Sequence, residues 1–345
     1  MSFPDSDSAI IAVVRRGELV ESLHRGHIVA VHASGQLAAW AGDPRYYTYA
    51  RSTAKLLQAL PLLEEGGVRR LGLTDAEIAL VASSHNGEPA HTAAVASILH
   101  KAGLDVSALD CGAQEPLHKR EADRLKHEHL ACGDIHNTCS GKHAGMLALA
   151  VLMNESIYKY TSPNHPVQQK MLRIVSEMSG CPPQHITIGI DGCGVPVFGL
   201  PLAALAAAYA KLGKPDDLSP VRQEACRTLL EAIARAPYYI AGTGRFDTRL
   251  SEVTDGRVIG KMGAEGVYAA TAPAAGLGLA LKLEDGAERA LYAAATEALL
   301  QLGLLTAAEA GALASFHRTD VVNRRGEVVG TIKPGFTLNI PSTEE

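Results

Sequence analysis

Apolar residues recur at spacings of three and four through most of the chain's middle. They predict helices over 52–65, 74–82, 90–102, 141–153, 163–179, 201–212, 219–235 and 286–302. Ser162-Pro163 and Ser219-Pro220 stand where an N-cap followed by proline starts a helix. The ends read differently. "HIVAVHASGQLAAWAG" (27–42) sets two short apolar runs around Ser34-Gly35, and "DVVNRRGEVVGTIKPG" (320–335) does the same around Arg325-Gly326, so both predict β-hairpins. "HITIGIDGCG" (185–194) and "RVIGKMGAEG" (257–266) predict short strands leading into glycine-rich turns. Hairpins at opposite ends of a chain often meet in one sheet. The expected class is therefore α+β, an antiparallel sheet from both termini with an inserted helical body. It forms one unit of two lobes: a sheet lobe from roughly 1–50 and 240–345, and a helical lobe over roughly 51–239.

Composition narrows the partners. Of 345 residues, 47% are apolar and 20% charged, which is ordinary globular usage and leaves no long segment disordered by default. The net charge is −5 and no Lys/Arg run exceeds two, so a nucleic-acid role has no electrostatic footprint. The start, "MSFPDSDSAI", is acidic and polar, unlike a signal peptide. "VPVFGLPLAALAAAYA" (195–210) is broken by prolines and glycine and falls short of the ~18 apolar residues a span needs. A soluble cytoplasmic protein is expected. The six cysteines (Cys111, Cys132, Cys139, Cys181, Cys193, Cys226) contain no C-x-x-C pair, which argues against a disulfide scaffold, a thioredoxin motif and the usual structural zinc pattern.

Chemistry enters at "ARSTAKLLQALPLL". Ser52 and Lys55 form S-x-x-K at the head of a strong helical pattern, so hydroxyl and amine share a face. Unpaired N–H groups at the helix start favour an oxyanion beside Ser52. A desolvated lysine can lose its charge and accept the serine proton, as in the penicillin-recognising enzymes. S-x-x-K alone is common on exposed helices. Leu56, Leu57, Leu60 and Leu62 make this helix central, and a buried lysine there needs a reason. "SSHNG" (83–87) reads either as a cap for the next helix or as a place where Ser84 faces a cleft. "GKMG" (260–263) sets Lys261 between glycines that allow close backbone approach, although a solvent-facing strand lysine is the plainer reading.

The thiols leave more open. Cys139 precedes the helix "GKHAGMLALAVLM", with Lys142 in its first turn, and "IDGCGVPVFG" places Asp191 and Cys193 on a tight turn. A phosphate loop is excluded, because His136 and His143 stand where Walker A needs glycine and Ser/Thr. Buried inert cysteines, a metal site on Cys139 and Cys193, a nucleophilic cysteine beside His143 and a redox pair all fit the residues alone.

Taken together, "ARSTAK", "ASSH", "NTCSGKHAGM", "DGCGVP", "GKMGAEG" and "LASFH" (313–317), in this order, resemble the rhizobial-type (class 3, asparaginase II) L-asparaginases over nearly the whole chain. The resemblance implies a serine β-lactamase/glutaminase-like fold and a homodimer that binds L-asparagine. It implies two Ser–Lys tandems, Ser52 with Lys55 and Ser84 with Lys261, with Ser52 the nucleophile. It further implies a zinc ion on Cys139, Lys142 and Cys193 that positions substrate rather than driving the chemistry. Asp191 would hold the substrate's amino group, with Arg51 and His143 in the site wall. The surroundings of "SSHNGEPAH" and "DGCGVP" depart from relatives, which bears on substrate contacts more than on reaction type. The competing expectations are a glutaminase or β-lactamase-like hydrolase of small amides or esters, and a non-enzymatic thiol or zinc sensor.

Overall fold

The computed structural model describes residues 7–341, so most of the acidic N-terminal stretch and the last four residues lie outside it. In chain order the strands are β1 (Ala9–Arg16), β2 (Leu19–His32), β3 (Leu37–Ala41), β4 (Tyr47–Tyr49), β5 (Thr187–Ile190), β6 (Pro196–Pro201), β7 (Ile259–Gly263), β8 (Val267–Ala272), β9 (Leu277–Leu283), β10 (Thr319–Val322) and β11 (Val328–Pro334). The helices up to Leu152 are α1 (Lys55–Glu64), α2 (Gly67–Leu71), α3 (Asp75–Val81), α4 (Pro89–Lys101), α5 (Lys119–His127) and α6 (Ser140–Leu152). Beyond them come α7 (Pro166–Ser179), α8 (Leu202–Gly213), α9 (Pro220–Arg235), α10 (Tyr238–Ala241), α11 (Phe246–Val253), α12 (Glu288–Gln301), α13 (Ala307–Ala312) and α14 (Ala314–His317). No helix among the described residues is long and apolar enough to cross a membrane. The chain falls into two compact units: one takes the residues up to Thr53, Leu200–Lys214 and those from Val253 on, the other Ala54–Gly199 and Pro215–Glu252.

The first unit is built on an eight-stranded sheet in the order β10-β11-β1-β2-β9-β8-β7, with β3 also pairing β2. The two hairpins expected from the termini form, with Ala30 opposite Ala39 and Val321 opposite Gly330. β1 joins them, pairing antiparallel with both β2 and β11. Gly26 to Val31 of β2 and the whole of β8 are buried on both faces, so their apolar runs show no alternation. One layer over the sheet is α8, packed on β2, β8 and β9. Its alanine-rich backbone comes so close to β9 that a Cβ on Gly278 would lie 2.0 Å from the Ala206 carbonyl oxygen. Only glycine fits there. α12 packs on β1, β8 and β11.

The second unit is helical and is organised around α1, whose residues Lys55 to Leu62 are all buried and which packs against α6, α7 and α9. Full burial of each leucine there contributes about 1.5–3 kcal/mol. Arg222 of α9 pairs with Glu64 at the C-terminal end of α1. The start of α3 is a capping box: Glu77 N–H donates to Thr74 Oγ1 while Thr74 N–H donates to Glu77 Oε2 at 2.7 Å. α6 lies against α3 through two glycines. A Cβ on Gly141 would meet Leu80 O at 2.3 Å, and one on Gly145 would meet Val81 Cγ1 at 2.5 Å. The glycines of "SGKHAG" therefore serve helix packing. β5 and β6 pair antiparallel, Ile188 opposite Phe198, and deliver the turn that carries Asp191 and Cys193.

The expected helix starts divide. Ser219 caps α9 by accepting from the Arg222 N–H, with Pro220 as first residue. Ser162-Pro163 does not start a helix: α7 begins at Pro166, and His165 Nδ1 accepts from the Val167 N–H. Proline recurs at Pro166, and it is this second proline, capped by His165, that starts the helix.

Candidate active site

Ser52 lies in a single 3-10 turn, Arg51–Ala54, that runs directly into α1. Arg51 enters this turn with φ +49°, a left-handed backbone. Thr53 ties the turn down: its Oγ1 donates to Ala50 O at 2.6 Å, and Tyr209 OH donates to its carbonyl at 2.6 Å. The end of β7 packs on the same turn. A Cβ on Gly263 would lie 3.1–3.2 Å from Ala50 O, Arg51 Cβ and Ser52 N, which accounts for the second glycine of "GKMG". Lys261, two residues earlier, is fully buried and its Nζ donates to Met262 O at 2.9 Å. The solvent-facing reading of that lysine is thereby corrected. The strand is flanked by β8 and sits inside the sheet unit.

In the helical unit, Lys55 is 0% exposed, and its Nζ donates to Ser83 O at 2.7 Å and to Ser84 Oγ at 2.9 Å. Burial above all pulls its pKa below the ordinary lysine value; the thiol of Cys139 opposes this, and the charge of Lys142 adds to it. The segment that carries Ser84 is buried and does not cap α4, whose N-cap Glu88 makes no capping bond. It is held by side chains instead. His85 Nδ1 accepts from the Gly87 N–H, so the ring's hydrogen is on Nε2, donated to Ser140 Oγ at 2.9 Å; Ser140 passes its own to Ile135 O. Asn86 donates to Thr243 O and accepts from Arg245 NH1 at 2.9 Å. Glu88 accepts from Thr243 N at 2.9 Å, from Thr243 Oγ1 at 2.8 Å and from Asn86 Nδ2 at 3.2 Å. Gly242 (φ +115°) lets that loop approach, since a Cβ there would stand 2.6 Å from Glu88 Oε1.

The thiols gather beside this lysine. Cys139 occupies the N-cap position of α6, and Lys142 projects from the first turn to donate to Cys193 Sγ at 3.2 Å, 51 residues along the chain. All three side chains are buried. Cys193 sits on a turn closed by Asp191 N–H to Val195 O at 2.8 Å and Gly194 N–H to Asp191 O at 2.9 Å. A hydrogen bond from Cys193 holds the Cys139 thiol well below its ordinary pKa, with Lys55 and Lys142 assisting. The same bond, together with burial, pushes Cys193 up. Lys142 is buried, which alone would lower it, but Cys139, Cys193 and Asp191 together raise it. The thiols and the amine therefore act on one another's protons as a group. No group of three or more His, Cys, Asp and Glu side chains that could hold a metal occurs among the described residues; a site on these two thiols would need Lys142 as its third donor. Two buried sulfurs suit zinc, and Lys142 would complete the set of three once it gives up its proton, so the residues fit that ion.

His143, next to Lys142, is buried; burial first, then the charges of Lys142 and Lys55, keep its pKa well below the usual histidine value. Its Nδ1 lies 2.7 Å from Tyr160 OH. Within the helical unit the structure groups Lys55, Ser84, Cys139, Lys142, Cys193 and His143, with Asp191 beside Lys142. Within the sheet unit it groups Arg51 and Ser52 with the end of the strand bearing Lys261. The sequence pattern did not single out Glu88, Tyr160, Thr243 or Arg245. "HNGEPAH" carries a polar signal for the first. The others are single residues in segments with no motif.

The family model described as L-asparaginase II matches residues 12–334. No curated protein gives a significant match to the chain. Among solved structures, the chain is similar to a β-lactamase from Mycobacterium bovis, at 17% identity over 85% of this chain and 95% of that one, with a TM-score of 0.39. The family match takes in every segment that carries the residues described above, and the chain belongs to the L-asparaginase II family.

Proposed function

We propose that this asparaginase-type amidohydrolase converts L-asparagine to L-aspartate and ammonia through an acyl-enzyme on Ser52. The observation that carries the reading is the environment of Lys55. A neutral amine has two N–H bonds; Ser83 O accepts one, Ser84 Oγ stands within reach of the other, and the Cys139 thiol also interacts with the nitrogen. Burial favours that neutral form. What remains on the nitrogen is a lone pair, the feature a general base needs.

In the first half-reaction Lys55 takes the Ser52 proton as Ser52 Oγ bonds to the amide carbon. Free backbone N–H groups at the start of α1 would stabilise the developing oxyanion. The C–N bond then breaks, and the departing nitrogen takes up a proton supplied through Ser84 and Lys261. The Lys55–Ser84 hydrogen bond is the first link of that route. Water attacks the ester in the second half-reaction, the same groups accept its proton, and Ser52 regains its hydroxyl hydrogen. Atoms balance as amide plus water giving acid plus ammonia. Cys139, Lys142 and Cys193 would hold zinc, and the bound ion would supply an electrophilic anchor for the substrate. Asp191, on the turn with Cys193, would receive the substrate's amino group, with Arg51 and His143 lining the site.

Ammonia release from asparagine and glutamine, together with the absorbance change of a chromogenic β-lactam, tests the assignment. Turnover of asparagine well above the other two supports it. Preference for glutamine or the lactam assigns the machinery to another small amide.

A further inference from the structure

His143 and Tyr160 form a buried pair whose hydrogens can be counted. The Tyr160 oxygen accepts the Asp110 N–H at 2.9 Å and lies 2.7 Å from His143 Nδ1. Both residues are buried, at 1% and 0% exposure. Their rings meet edge to face, with centroids 5.6 Å apart. Tyrosine has a single hydrogen to give. Were Nδ1 the protonated nitrogen, the tyrosine oxygen would receive two donors while its own hydrogen pointed at no acceptor. His143 Nε2 would then be a bare buried acceptor as well. With the tyrosine hydrogen on Nδ1, every group of the chain Asp110–Tyr160–His143 is satisfied except the Nε2 hydrogen. That atom is buried and without a hydrogen-bond partner. Buried donors are rarely left so unless something occupies the space beside them.

We propose that Tyr160 is a positioning residue: it fixes His143 as the Nε2–H tautomer, so that α6 presents a neutral N–H donor to an acceptor oxygen of the small amide substrate. The charges of Lys142 and Lys55 both act on the buried His143 ring, so the donor lies near the group of side chains around the thiols. The tautomer follows from hydrogen bonding alone; the identity of the acceptor rests on the proposed function. Tyr160 touches no reacting atom in this account. It acts through the histidine.

Ring-15N-labelled histidine in the full chain reads the tautomer directly, with His143 identified by the signals missing from His143→Gln. The expected spectrum shows a protonated, pyrrole-type Nε2 and a bare, pyridine-type Nδ1. A protonated Nδ1 overturns the proposal, whatever any variant does. In Tyr160→Phe the tautomer signature should collapse toward a mixture, and KM for asparagine should rise about twofold with kcat little changed, because a donor present half the time halves the binding-competent population without altering the acylation groups. If the variant loses the signature but keeps parental KM and kcat, the substrate half of the proposal fails. Absence of asparagine hydrolysis in the parent chain removes the proposed function and the substrate half with it, while the spectrum still decides the tautomer.

Discussion

Lys55 Nζ stands 2.9 Å from Ser84 Oγ, and both side chains are buried in the helical unit. This relationship links two motifs that lie 29 residues apart in the chain. It makes the charge of Lys55 the first quantity to test.

Burial lowers the Lys55 pKa, so its neutral form gains population at a lower pH than an ordinary lysine with pKa about 10.4. A base acts when deprotonated. The rate kcat/KM should therefore rise from the acid side through this lowered pKa and level off above it. A pH–rate profile with its maximum near pH 5 contradicts the assignment. Lys55→Arg, which keeps the charge and cannot release it, should lower kcat by about 100-fold or more.

Glu88 collects three hydrogen bonds, and the two from Thr243 hold that loop against the Ser84 segment. Glu88→Ala leaves those donors unmatched and should destabilise the fold by about 2–3 kcal/mol in urea denaturation. The pH dependence follows the same bonds. Burial pushes the carboxyl up, but the bonds from Thr243 and Asn86 outweigh it, and the folded pKa lies below the unfolded one. The stabilisation is thus complete above the unfolded pKa and disappears as pH falls through the folded value. The acid slope of stability should be shallower in Glu88→Gln.

Two glycines of α6 separate a backbone contact from a side-chain contact. In Gly141→Ala the new Cβ meets the Leu80 carbonyl oxygen, which is fixed in α3, whereas in Gly145→Ala it meets a methyl of Val81. The first should cost about 3 kcal/mol and the second nearer 1 kcal/mol, as for overpacked cores, measured by chemical denaturation. Equal losses would show that α6 can shift as a whole.

How much of this was readable beforehand depended on alternation and on motif. The terminal hairpins were legible because Ser34-Gly35 and Arg325-Gly326 interrupt paired apolar runs, and the structure turns at those places. β8 and β9 were not singled out: "VYAATA" and "LGLALKL" are buried almost throughout, and their polar residues Thr271 and Lys282 are buried too, so nothing alternates with a period of two. α5, "KREADRLKH", is mostly charged and shows only a thin apolar stripe. At the site, Lys55, Ser84, Cys139 and Lys142 stood out by spacing along the sequence. Tyr160 and Thr243 did not, because their roles come from hydrogen bonds to residues 17 and 155 positions away.

In the proposed function, zinc held by Cys139, Lys142 and Cys193 would position the substrate. Stripping zinc-loaded protein with a chelator should raise KM at least about tenfold and change kcat by a smaller factor. A collapse of kcat at unchanged KM would make the metal part of the chemical step. Cys193→Ser, which weakens the sulfur donor next to Lys142, should behave like the stripped protein.

The central claim is that Ser52 forms the acyl-enzyme, and ammonia release from asparagine by Ser52→Ala tests it most directly. Ser52 is only half-buried, in the turn ahead of α1, so the substitution should leave thermal unfolding within a degree or two of the parent. The account predicts that turnover falls by about a thousandfold or more at unchanged stability, since the loss of a nucleophile is seldom compensated. A folded Ser52→Ala protein that retains most of the parental rate would contradict it.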